Sequence, residues 1–179
     1  MVDIPSNFIG DFKVGDNLVY NAAILRALCN HNGDGGLNKL VVVQVGAILE
    51  AALGQIIYRA QNFNREGVPN IAEVDRQGIE GKKIDKLNNI IDVMRKYGLL
   101  DELGVGIYDQ LHTLRKFRNK VHIQDDNQDV PRDEAAAFTP ARCAWSLELC
   151  AAVLVFLSRK FPRPADVAKY VEPLSIPDP

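Results

Sequence analysis

The apolar residues of this chain recur at helical spacing over most of its length. Behind a first segment, 1–15, broken by Pro5, Gly10 and Gly15, the positions Leu18, Ala22, Leu25 and Leu28 share one stripe, with Asp16 as candidate N-cap and "NHNGDGG" as a stop. This pattern predicts a helix over 17–30, preceded by an arm lying across the surface. Residues 37–64 are apolar nearly all round, interrupted only by Gln44, Glu50 and Gln55 before Tyr58 and Arg59. A helix with so little polar face belongs at the centre of the fold or against a second subunit. The β-branched run "LVVVQV" alone would also suit a buried strand, but the continuation "GAILEAALGQIIYRAQ" favours helix.

A connection rich in glycine and charge, "NREGVPNIAEVDRQGIEG", follows. Helical periodicity resumes over 79–97 through Ile84, Leu87, Ile90, Ile91 and Met94, with Gly98 in the position that ends helices. A fourth helix is predicted over 105–123, with Ile107, Leu111, Leu114, Phe117 and Val121 facing the core. The last runs over 138–161, where Pro162 and Pro164 stop it for want of an amide hydrogen. The expected fold is all-α, an antiparallel bundle of four to five helices over 16–161. The arm 1–15 and a proline-rich tail, 162–179, flank it; the tail is read as extended apart from a short turn near Val167.

Composition narrows the class. At 47% hydrophobic and 25% charged, the chain has the makeup of a soluble globular domain. The apolar stretches "LVVVQVGAILEAAL" and "CAAVLVFL" carry polar interruptions and fall short of a membrane span, so no membrane association is expected. The start of the chain lacks the pattern of a secretory signal. Cys29, Cys143 and Cys150 follow no metal or disulfide spacing and read as reduced core thiols of a cytoplasmic protein. A formal net charge of −2 gives the whole molecule no pull toward nucleic acid, so any such contact must be local.

The candidate chemistry lies in "LRKFRNKVHI", residues 114–123. On a helix at about 100° per residue, counted from Leu114, Arg118 falls at about 40°, His122 at about 80° and Arg115 at about 100°, stacked along one edge of the apolar sector. Lys116 and Lys120 fall on the far side and read as solvated. Arg118, at the border of a buried face, requires an acceptor. Glu50, on the flank of the most apolar helix, is costly alone and is expected to reach Arg118, His122 or a polar cavity between the helices. His112 reads as exposed and His31 as part of a turn. Trp145 reads as packing. Asp125, Asp126 and Asp129 lack the spacing of a calcium loop, so neither metal nor cofactor is expected.

These residues carry a likeness. "LHTLRKFRNKVHI", preceded by "VMRKYGLLDE" and by "AILEAAL" on an earlier long helix, resembles the HEPN superfamily of small helical bundles over residues 37–160. Its signature is an arginine followed by a polar residue, often asparagine, and then a histidine after four to six intervening residues. Arg118 is followed by Asn119 but stands only three residues from His122; Arg115 has the longer spacing but is followed by Lys116. The resemblance implies a homodimer that acts on RNA, in active members as a metal-independent endoribonuclease. His122 would move a proton, Arg118 or Arg115 would hold the phosphate, Asn119 would orient them, and Glu50 would support Arg118. It also implies an alternative: a non-catalytic module that binds a nucleotide, an RNA end or a protein, or a structural subunit of a defence or regulatory assembly. Toxin-like members of the superfamily are paired with a nucleotidyltransferase-type antitoxin.

Overall fold

The protein is mostly helical, as a computed structural model that describes residues 1–9, 13–62, 71–80, 84–122, 129–168 and 172–178, apart from the side chains of Arg76 and Val167. In chain order come β1 (Val2–Ile4), α1 (Lys13–Asn30), α2 (Asn38–Asn62), α3 (Glu73–Ile79), α4 (Leu87–Lys96), a 3₁₀ turn (Asp101–Leu103), α5 (Ile107–Asn119), α6 (Glu134–Ala137), α7 (Pro140–Lys160), α8 (Ala165–Ala168) and β2 (Leu174–Ile176).

The hub is α2. Its Val41, Val45, Leu49, Ala52, Leu53 and Ile56 are fully buried, because α7, α1, α5, α4 and α3 all pack around it. Each large aliphatic side chain removed from water in this way contributes about 1.5–3 kcal/mol. Both α2 and α7 are long and apolar enough to cross a membrane, with mean hydropathy of 2.0 and 1.6. That corrects the expectation that they fall short. In this fold their apolar faces are turned on each other and on their neighbours. Local chemistry sets the start of α7: Thr139 Oγ1 accepts the amide of Arg142 at 3.2 Å, and Pro140 occupies the first helical turn.

Several boundaries differ from the periodicity. Asp16 lies inside α1 rather than capping it. The stretch expected to be one helix over 79–97 is broken: α3 ends at Ile79 and α4 begins at Leu87, with Ile84 outside both. Phe138 precedes the last helix, which begins at Pro140.

The largest difference is at the two ends of the chain, where strands were not foreseen. β1 and β2 pair antiparallel, Val2 with Ile176, Asp3 with Ser175 and Ile4 with Leu174. The first segment is no surface arm, since Ile4, Phe8 and Ile9 are fully buried, and Leu174 and Ile176 of the tail are buried beside them. Arg59 of α2 locks this region. It is fully buried, and its Nη1 donates to the carbonyls of Phe8 (3.1 Å) and Phe161 (2.6 Å), while Nη2 reaches that of Pro162 (3.4 Å). One guanidinium thus answers backbone acceptors from the N-terminal segment and from the end of α7.

Candidate functional site

Gly46 and Glu50 sit one turn apart on α2, and together they form a seat for Arg118. A Cβ on Gly46 would lie 2.7 Å from Cγ and 2.8 Å from Cβ of Arg118, so the aliphatic stem crosses α2 where there is no side chain. Its guanidinium then pairs with Glu50 Oε2, while Glu50 Oε1 accepts the amide of Leu87, the first residue of α4, at 3.1 Å. The carboxylate therefore joins three helices and caps an exposed amide end of one of them. The expected meeting of Glu50 and Arg118 is present. Both remain partly open, Arg118 33% and Glu50 24% exposed, which tempers what the pair contributes. Glu50→Ala is expected to cost about 1–2 kcal/mol, by uncapping α4 and leaving Arg118 unanswered, in urea titrations followed by helix signal.

The stacked edge of arginine and histidine is not what the fold makes. α5 stops at Asn119, and the chain continues through successive i to i+3 bonds: Lys120 to Phe117 (3.0 Å), Val121 to Arg118 (3.2 Å) and His122 to Asn119 (3.3 Å). Such a turn advances about 120° per residue instead of about 100°, so positions computed for a regular helix are lost beyond Asn119. Lys120, read as solvated, is buried with Nζ donating to the Arg132 carbonyl at 3.1 Å. Val121, read as core, is exposed. His122 follows on the surface with no side-chain partner among the described residues. Asn119 Oδ1 lies 3.5 Å from Arg118 Nη1, so these two stay together at the end of α5, and His122 follows in the next turn without sharing their helix face.

Arg115 and His112 lie on the side of α5 that faces α4. His112, expected to be exposed, is largely covered: its Nε2 is 3.2 Å from Asp92 Oδ1, and Asp92 is held in turn by Asn88 Nδ2 at 2.8 Å from Oδ2. Burial holds the imidazole below its ordinary pKa; Asp92 opposes this, and Arg115 and Arg95 add to it. The Nε atom of Arg115 is buried with no hydrogen-bond partner. One turn toward the start of α5, Asp109 pairs with Arg95, whose guanidinium lies over the ring of Tyr108. No local sequence signal marks His112, because it becomes distinctive only when α4 lies antiparallel beside it.

Other candidates resolve into structure. His31 Nδ1 is 2.8 Å from the Ala27 carbonyl in the turn that ends α1. Asp129 pairs with Lys116 at 2.7 Å, whereas Asp125 and Asp126 lie outside the described residues. Burial raises the thiols of Cys29 to about 11 and Cys150 to about 12 and also raises Cys143, the opposite of nucleophile activation. Arg142, not singled out by the sequence, lies over the ring of Phe117 at 4.1 Å and near Trp145 at 5.2 Å. Among the described residues no group of three metal-binding side chains converges.

No family model matches the chain, and neither does any curated protein or solved structure.

Proposed function

We propose that this protein is an HEPN-like module that acts on RNA, with α1, α2, α4, α5 and α7 as its antiparallel bundle and the end of α5 as the contact. The observation that carries this reading is Arg118 beside Asn119 at the end of α5, held by Glu50, with an exposed His122 in the turn that follows. A guanidinium, an amide and an open imidazole suit a phosphate and a ribose hydroxyl. Binding is favoured over cleavage. Arg118 already shares its charge with Glu50, and His122 projects from a separate turn instead of stacking over it. The proposal includes a cytoplasmic homodimer that needs no metal or cofactor, and a nucleotidyltransferase-type protein as partner in a toxin–antitoxin setting.

The second reading, a metal-independent endoribonuclease, is favoured by one observation: the His122 ring is exposed and has no partner among the described residues, so two copies brought together by a two-fold axis would supply both an acid and a base. Fluorescent single-stranded RNA in excess chelator separates the two. Saturable anisotropy with intact RNA supports the binding module. Chelator-resistant cleavage that disappears in His122→Ala, with the helix signal unchanged, supports the nuclease. Absence of both binding and cleavage removes RNA from the account.

A further inference from the structure

The facing edges of α4 and α5 form a ladder of charged rungs. Arg95 pairs with Asp109, and in the same antiparallel register Asp92 meets His112. The next turn of α5 carries Arg115, but the corresponding turn of α4 carries Asn88 and Asn89, neither of them acidic. Beyond it Arg118 is answered from α2 by Glu50. Among the described residues, Arg115 is therefore the rung of this ladder whose cation meets no carboxylate. Its Nε is buried and unanswered there, and no hydrogen bond or ion pair among those residues engages its guanidinium. The buried Nε is a donor that water does not reach, while the Nη groups beyond it are not buried and stay available to an incoming anion.

The neighbouring histidine is already oriented. Nε2 lies 3.2 Å from Asp92 Oδ1, and Asp92 is held by Asn88, so a neutral ring with its proton on Nε2 faces the carboxylate and leaves Nδ1 as an acceptor. Among the described residues Nδ1 has no partner, and it is not one of the buried unpartnered atoms, so it keeps access to solvent, three residues and so one turn from Arg115. An arginine with spare donors beside a histidine that gains a proton when an anion arrives is suited to a tetrahedral oxyanion. We propose that Arg115 and His112, backed by Asp92 and Asn88, form a phosphate-ester binding site in the α4–α5 groove, separate from the Arg118 and His122 end of α5. Arg115 supplies the paired donors and His112 a hydrogen bond to the same phosphate. The source of that phosphate in RNA rests on the reading above; the site itself does not.

The test follows the His112 ring resonances of the intact protein by NMR during titration with inorganic phosphate, and separately with a short single-stranded RNA. Both ligands are expected to shift those resonances and to raise the pH at which the ring titrates. Arg115→Gln should weaken the response roughly tenfold or more. That variant should keep its melting temperature, since the residue it replaces has an unanswered donor. A response to phosphate but not to RNA keeps the site and removes RNA as the source of its phosphate. RNA binding that leaves His112 and Arg115→Gln unaffected, while His122→Ala loses it, keeps the RNA reading at the end of α5 and, where phosphate also leaves His112 unmoved, overturns this site. Silence of His112 toward both ligands also overturns it, whatever the variants do.

Discussion

Replacing Arg59 by methionine is expected to lower the unfolding free energy by about 3–5 kcal/mol, the largest effect of any single change considered. Methionine has a similar length and fills the same channel, so the loss is not mainly one of packing. What disappears is the cation that serves the carbonyls of Phe8, Phe161 and Pro162. A carbonyl left dry costs about 1–3 kcal/mol, and water entering to satisfy it would part the N-terminal segment from α7. Ile4, Phe8 and Ile9 would then lose their cover, and the pairing of β1 with β2 would loosen with them. Urea unfolding together with hydrogen exchange at the strand amides measures this. A loss under about 1 kcal/mol, or a strand pair as protected as before, would show that Arg59 is a passenger.

Gly46→Val is expected to be second, at about 2–4 kcal/mol. A Cβ there would sit 2.7 Å from a carbon of Arg118, and valine adds two further methyl groups on the same line. Either α5 moves away from α2 or Arg118 leaves its seat and abandons Glu50. The two outcomes are separable by a double-mutant cycle. If the clash is with the Arg118 stem, Arg118→Gly, which removes both the Cγ at 2.7 Å and the Cβ at 2.8 Å, should restore much of the stability lost in Gly46→Val, making the pair strongly less than additive. Additive losses would mean that the crowding lies elsewhere. RNA binding measured on the same proteins would show whether the seat serves the contact at the end of α5.

Much of the fold was legible because burial and helical period reinforce each other. The stripe through Leu18, Ala22 and Leu25, the almost unbroken apolar run of α2, and the prolines after α7 require only local rules. The pairing of Glu50 with Arg118 was legible for a different reason: a carboxylate and a guanidinium each placed on an apolar border need the same remedy. The end of α5 was not legible. Lys120 and Val121 exchange their expected places because the last turn tightens, and it tightens where the Arg132 carbonyl from a later loop is present to receive the lysine.

The terminal strands were hidden for a related reason. Three residues at each end carry too little pattern to announce a strand, and each becomes one only beside the other. His112 likewise reads as exposed on its own helix and becomes an oriented, half-covered imidazole only once Asp92 arrives from α4. The sequence by itself determined the main helices α1, α2, α5 and α7, the central place of α2 and the need of Glu50 for a polar partner, since these depend on period and on the cost of burying charge. Tertiary structure alone decided where α5 ends, which histidine is held, how Arg59 binds the two ends of the chain, and which arginine is left unanswered. Those outcomes depend on groups distant in sequence that meet only when the helices pack.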